Sequence, residues 1–197
     1  MATSSTSPAA VAAQALQVVH YPESVLRKKA LPIVEITPYV REVAARMITL
    51  MFEEEGVGLA APQVGLSWRL FVAYVPPTDG RSTAPVDEEG NPLLPDASER
   101  PQVFINPLLS NHAGPLEKFN EGCLSLPEIR GHVQRPPDVT VKALDLEGRP
   151  FEMRATGLLS RCFQHEVDHL DGVLIIDKMM QIDRLKNRLK IRNLERS

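Results

Sequence analysis

Apolar residues recur at helical spacing in the segment that follows Thr37. They lie three and four positions apart and share one face of a helix: Val40, Val43, Ala44, Met47, Leu50 and Met51. Thr37 is a typical N-cap residue, and Pro38 is favoured at the first helical position. Gly56 ends the pattern. The sequence therefore predicts an amphipathic helix from Pro38 towards Gly56.

Shorter apolar runs predict strands and two further helices. Residues 68–75, 103–105, 139–144 and 151–153 are predicted strands, the last of them following a Glu147-Gly148 turn. A second helix is expected to open at 156–157 and to end at Gly172. A third, amphipathic and basic, is expected at about 181–195.

Length and composition indicate one globular domain. The chain has 197 residues and a net charge of −3, which gives no electrostatic reason to expect DNA binding. No run of about 18 apolar residues is present, so no membrane partner is predicted. Cys123 and Cys162 could form a disulfide, but so few cysteines, both beside polar residues, favour a reducing compartment.

We expect the domain to cover residues 17–197, after a disordered extension of residues 1–16. The extension is rich in Ser and Ala and contains no arginine, so it makes a poor secretory signal or transit peptide. The polar stretch at about 76–101 is too long for an ordinary connection and predicts a surface insertion. The expected location is the bacterial cytoplasm, with a plastid or mitochondrion as the alternative.

The segment QHEVDHLDG, residues 164–172, carries the strongest chemical signal. In a helix His165 and His169 lie on one face, so their rings can bind one ion. Glu166 lies about 100° further around the helix, where it can reach a molecule bound to that ion. The alternative interpretation is a surface helix with two ordinary histidines.

A catalytic metal site with two histidine ligands needs a third protein ligand and one coordination position left open for water. No histidine follows His169, and the only downstream glutamate is Glu195, in a basic segment. The third ligand is therefore expected upstream, where Cys123 is the candidate because a thiolate suits Zn²⁺ or Fe²⁺. The alternative for Cys123 is a small buried apolar residue. Cys162, three positions before His165, is interpreted as core packing or a pocket wall.

Three blocks of the sequence together resemble the peptide deformylase family. They are GVGLAAPQ (56–63), EGCLS (121–125) and QHEVDHL (164–170), in the family's order, and the similarity extends from about Val18 to about Lys186. The resemblance implies an α+β fold, with antiparallel β-sheets packed around a central HExxH-bearing helix, an N-terminal helix and a C-terminal helix. It also implies a metal-dependent hydrolase that removes the N-formyl group from newly synthesised formyl-methionyl polypeptides and releases formate.

The resemblance assigns catalytic roles to individual residues. Cys123, His165 and His169 would bind one divalent ion, Fe²⁺ first and Zn²⁺ as the alternative. Water bound to that ion would be the nucleophile, and Glu166 would act as general base and then as general acid. The Gln63 side-chain amide and the Leu124 backbone N–H would stabilise the developing oxyanion.

The resemblance also places other residues around these groups. The expected substrate-binding residues are Val57, Gly58, Leu59, Glu121, Gly122, Arg130 and Cys162. Glu121 and Arg130 are expected at the rim of a pocket for the methionine side chain. Gln164 or a backbone carbonyl is expected to accept a hydrogen bond from a ligand histidine, and Asp168 is expected to pair with Arg135.

Two other functions remain compatible with the sequence. One is a metallopeptidase that cleaves ordinary peptide bonds. The other is a catalytically inactive protein that the metal only stabilises and that binds a partner such as the ribosome. The basic segment after Met180 is either a solvated helix face or a surface that binds ribosomal RNA.

Overall fold

The computed structural model describes residues 12–78 and 80–196. Within these residues, four α-helices and seven strands follow one another. The helices are α1 (Pro38–Glu53), α2 (Gly157–Leu170), α3 (Ile175–Lys178) and α4 (Gln181–Leu194). The strands are β1 (Gly58–Ala60), β2 (Leu70–Ala73), β3 (Gln102–Ala113), β4 (Glu117–Gly122), β5 (Arg130–Arg135), β6 (Asp138–Leu144) and β7 (Pro150–Ala155). No helix within the described residues is long and apolar enough to cross a membrane.

The strands form two antiparallel sheets of unequal size. The larger sheet has the order β1-β2-β3-β6-β7, and β4 pairs with β5 in a separate two-stranded sheet. Together with the helices, these sheets give the mixed helix and antiparallel-sheet fold that the resemblance implied. Because β4 and β5 do not pair with any strand of the larger sheet, their position relative to it depends on other tertiary contacts.

Helices cover both faces of the larger sheet, which places its central strands in the interior. All four residues of β2 are buried. Phe71 and Ala73 pack with α2, whereas Leu70 and Val72 pack with α1, as the two-residue period of a strand requires. Phe163 of α2 lies against this sheet, with its ring centre 5.0 Å from that of Phe104. Helix α2, which carries the HExxH motif, is therefore fixed to the sheet by aromatic packing.

The ends of α1 follow from its terminal residues. The Thr37 side chain accepts a hydrogen bond from the Val40 N–H, and Pro38 occupies the first turn, as predicted. The helix ends at Glu53, before Gly56, because Glu55 adopts a positive φ of 55° that a right-handed helix excludes. The predicted helix is thus confirmed, and its end lies slightly earlier than expected.

Several elements differ from the sequence-based predictions. The β4–β5 hairpin, β1 and α3 were not predicted, and β3 extends well beyond 103–105. Four of the six residues of β4 are exposed, so that strand shows no alternating burial from which it could be recognised. The predicted extension of residues 1–16 lies mostly outside the described residues. Its last residues belong to the folded unit, because Ala13 and Leu16 are buried against α1.

The predicted insertion at about 76–101 folds back onto the domain. The Ser98 N–H donates to the Val75 carbonyl at 2.7 Å, and the Thr156 N–H donates to the Pro95 carbonyl at 2.9 Å. Ala97 and Ser98 are buried. The end of this segment therefore contacts the residue that caps α2.

Candidate metal centre and active site

Three side chains from two separate parts of the chain converge at one point. Cys123 follows β4 directly, and His165 and His169 lie one turn apart on α2. The Cys123 Sγ is 3.2 Å from His169 Nε2, which is 3.2 Å from His165 Nε2. All three donor atoms lie within 4.8 Å of one another. The three residues predicted as metal ligands are thus brought together.

The spacing and chemistry of these donors fit a divalent metal ion. Two nitrogens about 2.0–2.1 Å from a tetrahedral ion lie about 3.3–3.4 Å apart, close to the 3.2 Å between the two Nε2 atoms. One thiolate and two imidazoles suit Zn²⁺ or Fe²⁺. Burial lowers the pKa of His169, which favours the neutral ring that a metal requires.

Glu121 is buried and contacts the Nδ1 side of His165, instead of lying at the rim of a pocket. It is 6% exposed, and its Oε2 is 3.1 Å from His165 Nδ1. Both carboxylate oxygens accept hydrogen bonds from Arg135, at 2.7 and 2.9 Å. Burial alone would raise the pKa of Glu121, but the bonds with Arg135 and His165 outweigh it and lower the pKa. The carboxylate therefore remains ionised and accepts the Nδ1–H of His165.

The expected hydrogen bond from a ligand histidine to Gln164 or to a backbone carbonyl is absent among the described residues. Glu121 takes that role for His165, and the Nδ1 of His169 has no partner there. Gln164 instead donates to the Pro136 carbonyl at 2.9 Å and to the Ser160 hydroxyl at 3.2 Å. A helical residue next to His165 projects away from the ligand face, which explains the difference. The expected pairing of Asp168 with Arg135 is present, at 2.7 Å.

Glu166 is positioned to act as a base. Its side chain is buried, and its Oε2 has no hydrogen-bond partner among the described residues. Burial raises the pKa of Glu166 to about 7, although the charges of His165 and Arg135 act against this. A carboxylate with a pKa near neutral pH can both accept and return a proton.

Gly58 allows Glu166 and Cys162 to approach β1 closely. A Cβ atom at Gly58 would lie 2.4 Å from the Glu166 Oε1 and 2.8 Å from the Cys162 sulfur. Real Cβ atoms do not approach other atoms so closely. The glycine therefore provides the space in which the Glu166 carboxylate lies.

Replacing Gly58 with alanine is expected to lower the hydrolytic activity that the resemblance implies by about 100-fold, since a displacement of about 1 Å at a reacting group costs that much. The added methyl group would push the Glu166 carboxylate and the Cys162 sulfur aside, and none of the three atoms nearest to it belongs to Cys123, His165 or His169. The measurement is kcat/KM for formate release, with bound metal determined by elemental analysis. Unchanged kcat/KM at unchanged metal content would contradict this account of Gly58.

Gln63 directs its amide nitrogen towards Cys123. The Ala60 N–H donates to the Gln63 Oε1 at 2.8 Å, which fixes the orientation of the side chain. The Nε2 then lies 3.6 Å from the Cys123 sulfur. A buried amide donor therefore faces the convergence of the three ligands, in a residue that sequence alone could not distinguish from an ordinary loop glutamine.

The other residues predicted to bind substrate, together with Leu124, differ in their exposure to solvent. The Val57 carbonyl accepts hydrogen bonds from the Tyr74 N–H at 2.8 Å and from the Cys162 thiol at 3.3 Å. Leu59 and Cys162 are buried, Gly122 and Leu124 are half-buried, and Arg130 is exposed. The Arg130 guanidinium carbon would lie 3.4 Å from a Cβ at Gly122, so Arg130 reaches the strand next to Cys123.

Arg161 is a residue of this centre that the sequence analysis missed. Its guanidinium donates to Glu121 Oε1 at 2.8 Å, and its side chain is 8% exposed. Its position four residues before His165 places it on the same face of α2, a signal that could have identified it.

Comparisons with known proteins agree with this geometry. A family model described as polypeptide deformylase matches residues 15–185. A peptide deformylase of Prochlorococcus marinus is 36% identical over 182 residues, which are 92% of this chain and 82% of the relative. Peptide deformylase 2 of Gloeobacter violaceus is 41% identical over 157 residues, which are 80% of this chain and 75% of the relative.

A solved structure is similar over the same range. The crystal structure of peptide deformylase from Ehrlichia chaffeensis matches with a TM-score of 0.79 at 29% identity, and the match covers 92% of this chain and 95% of that chain. Sequence, fold and family model thus point to one family. The chain belongs to the peptide deformylase family, metal-dependent hydrolases that remove the N-formyl group from nascent polypeptides, and it is an enzyme of this kind.

Proposed function

We propose that Cys123, His165 and His169 bind one divalent ion, and that deformylation of formyl-methionyl peptides takes place beside it. The convergence of one sulfur and two imidazole nitrogens within 4.8 Å is the observation that carries this proposal. When bound, such an ion lowers the pKa of a coordinated water towards about 7 and thereby supplies a nucleophile at neutral pH. Fe²⁺ is our first assignment and Zn²⁺ the alternative, since a thiolate with two imidazoles suits both.

Glu166 is assigned the proton transfers. It follows His165 on α2, and its unpartnered Oε2 can accept a proton from the attacking water. It then returns that proton to the amine that leaves when the formyl C–N bond breaks. The pKa of about 7 that burial gives Glu166 suits both steps at neutral pH.

Gln63 and Leu124 are assigned the stabilisation of the oxyanion. The Gln63 amide is held by the Ala60 N–H and points towards Cys123, so it can donate to an oxygen in that region. Leu124 follows Cys123 directly, which brings its backbone N–H next to the ligand sulfur. Loss of one donor of this type typically costs about 10²–10³ in rate.

The first strand offers an edge along which the substrate peptide can bind. β1 lies at the end of the larger sheet, and the Val57 carbonyl points inwards to Tyr74 of the neighbouring chain segment. Since successive residues of a strand direct their backbone groups to opposite sides, Gly58 directs its groups outwards. An extended peptide can add there as a further strand, with Leu59, Gly122, Arg130 and Cys162 around it.

Assays with matched peptides test the proposed function against the peptidase alternative. Formyl-Met-Ala is expected to release formate, whereas acetyl-Met-Ala and unblocked peptides are expected to remain intact, because a site built for a formyl group excludes larger acyl groups. Formate release and new amino groups are measured in parallel on anaerobically purified protein. Equal turnover of the formyl and acetyl peptides would contradict the proposal.

We expect this activity in the bacterial cytoplasm.

We further propose that α4 binds the ribosome, where formylated chains emerge. Ile182, Leu185 and Leu189 are 55%, 57% and 62% exposed, and they lie on one side of the helix. The opposite side is occupied, since Asp183 accepts from the His132 N–H at 2.9 Å and Asn187 donates to the Arg130 carbonyl at 2.8 Å. Exposed basic residues also occur along α4: Arg184, Lys186, Arg188 and Arg192.

Reversing the charge of Arg184, Arg188 and Arg192 to glutamate is expected to abolish co-sedimentation with ribosomes at low salt, because basic residues bind RNA through counterion release. A variant that reverses Lys28, Lys29 and Arg100, which are also exposed, is the matched control and is expected to sediment like the wild type. Metal content and thermal midpoint show that both variants fold. Equal co-sedimentation of the two variants would argue against α4 as the binding surface.

A further inference from the structure

The metal donors come from two parts of the fold that are not joined by strand pairing. Cys123 follows β4, which pairs with β5 in the smaller sheet, whereas His165 and His169 lie on α2. Side chains that connect the smaller sheet to α2 therefore help to set the distance from the Cys123 sulfur to the rings of His165 and His169.

Arg161 makes several of these connections with one guanidinium group. From α2 it donates to the Glu117 carbonyl at 3.0 Å and to the Glu121 carboxylate at 2.8 Å, which lie near the two ends of β4. It also lies 3.3 Å from the Val133 carbonyl of β5. The rigid planar fork of arginine can make such bonds at the same time, whereas a lysine ammonium group lacks that geometry.

The contact with Glu121 extends to a metal ligand. Glu121 Oε1 accepts from both Arg161 and Arg135, at 2.8 and 2.7 Å. Its other oxygen faces His165 Nδ1 at 3.1 Å. With two guanidinium groups around it, the carboxylate is restricted to one orientation, and the ring of His165 is oriented in turn so that its Nε2 faces the other donors.

Phe119 covers the guanidinium group on one side. The Arg161 guanidinium carbon lies 5.2 Å from the centre of the Phe119 ring, and Phe119 is half-exposed on β4. Arg161 thus contacts three alternate residues of β4, through the Glu117 carbonyl, the Phe119 ring and the Glu121 carboxylate. The ring shields the ion pair from water and strengthens it.

We propose that Arg161 is a positioning residue of the metal centre: it fixes β4, and with it Cys123, against α2, and it orients His165 through Glu121. This inference rests on the proposed metal site. A purely structural arginine would stabilise the fold without changing how the three donors bind an ion, and that difference can be measured.

The test compares Arg161→Met with Arg69→Met in metal-free protein titrated with Co²⁺. Arg69 is a matched control, because it is 13% exposed and donates to Asp171, just beyond the other end of α2, at 2.8 Å. We expect Arg161→Met to weaken Co²⁺ binding by about 10–100-fold, to alter the ligand-field spectrum and to lower kcat more than it raises KM. We expect Arg69→Met to lower the thermal midpoint alone, and Arg161→Lys to recover part of the Co²⁺ affinity.

Wild-type Co²⁺ affinity and spectrum in Arg161→Met would overturn the inference, whatever its thermal midpoint. If that variant does not fold, Arg161→Gln replaces it and is judged by the same comparison. Wild-type protein that binds Co²⁺ without a thiolate charge-transfer band would overturn the proposed metal site, and with it this inference.

Discussion

Replacing Cys123 with serine is expected to remove the metal and the activity together. Cys123 supplies the only sulfur among the three converging donors. A serine hydroxyl stays protonated at neutral pH and is a poor ligand for Fe²⁺ or Zn²⁺. The loss of metal affinity should exceed the roughly 10–100-fold effect of removing a residue behind a ligand. Elemental analysis and formate release, measured on the same anaerobic preparation, check both expectations.

Cys162→Ser is the matched control for this change. Cys162 is the other free cysteine, and its thiol is directed to the Val57 carbonyl at 3.3 Å. Its burial raises the pKa of the thiol, so it is a poor substitute ligand. We therefore expect Cys162→Ser to keep its metal. Full metal content in Cys123→Ser, or metal loss in both variants, would contradict the assignment of Cys123.

Replacing Glu166 with glutamine is expected to lower kcat by about 10²–10⁴ while the metal remains bound. Glutamine has nearly the same shape but cannot accept the proton from the attacking water. Cys123, His165 and His169 are unchanged, so metal content should equal that of the wild type. Steady-state formate release and elemental analysis distinguish this result from simple loss of the ion, and activity above about one tenth of the wild-type value would exclude Glu166 as the base.

The pH dependence of stability gives a second test of Glu166. Burial raises its pKa from 4.5 to about 7 in the folded protein, so the folded state binds a proton more tightly than the unfolded chain does. Glu166 should therefore contribute a loss of stability to the metal-free wild type as pH rises from about 4.5 to 7, by at most on the order of 3 kcal/mol. Glu166→Gln should lack this loss. Denaturant unfolding of both proteins at pH 5 and pH 8 measures the difference, and identical pH dependence would contradict the raised pKa.

The three converging donors could be predicted from sequence, in part because helical geometry is local. His165 and His169 must share a face if their segment is a helix, and the lack of a suitable downstream ligand directed attention to Cys123. The residues behind the ligands could not be predicted in this way. Glu121 was expected at the pocket rim and Gln164 beside a histidine, whereas Glu121 contacts His165 and Gln164 faces away. Which polar groups meet across two elements depends on packing, which the spacing of residues does not encode.

The sequence was enough to predict helices α1 and α2, the two converging histidines of the HExxH motif, the sulfur of Cys123 and the family. These depend on short-range periodicity and on blocks of fixed spacing. Three other features depend on the packing of residues far apart in the chain: β4 forms, Arg161 and Arg135 share Glu121, and Gly58 leaves room for Glu166. β4 is mostly exposed and has no periodic signal, and its place is fixed by hydrogen bonds and ion pairs with residues up to 44 positions away.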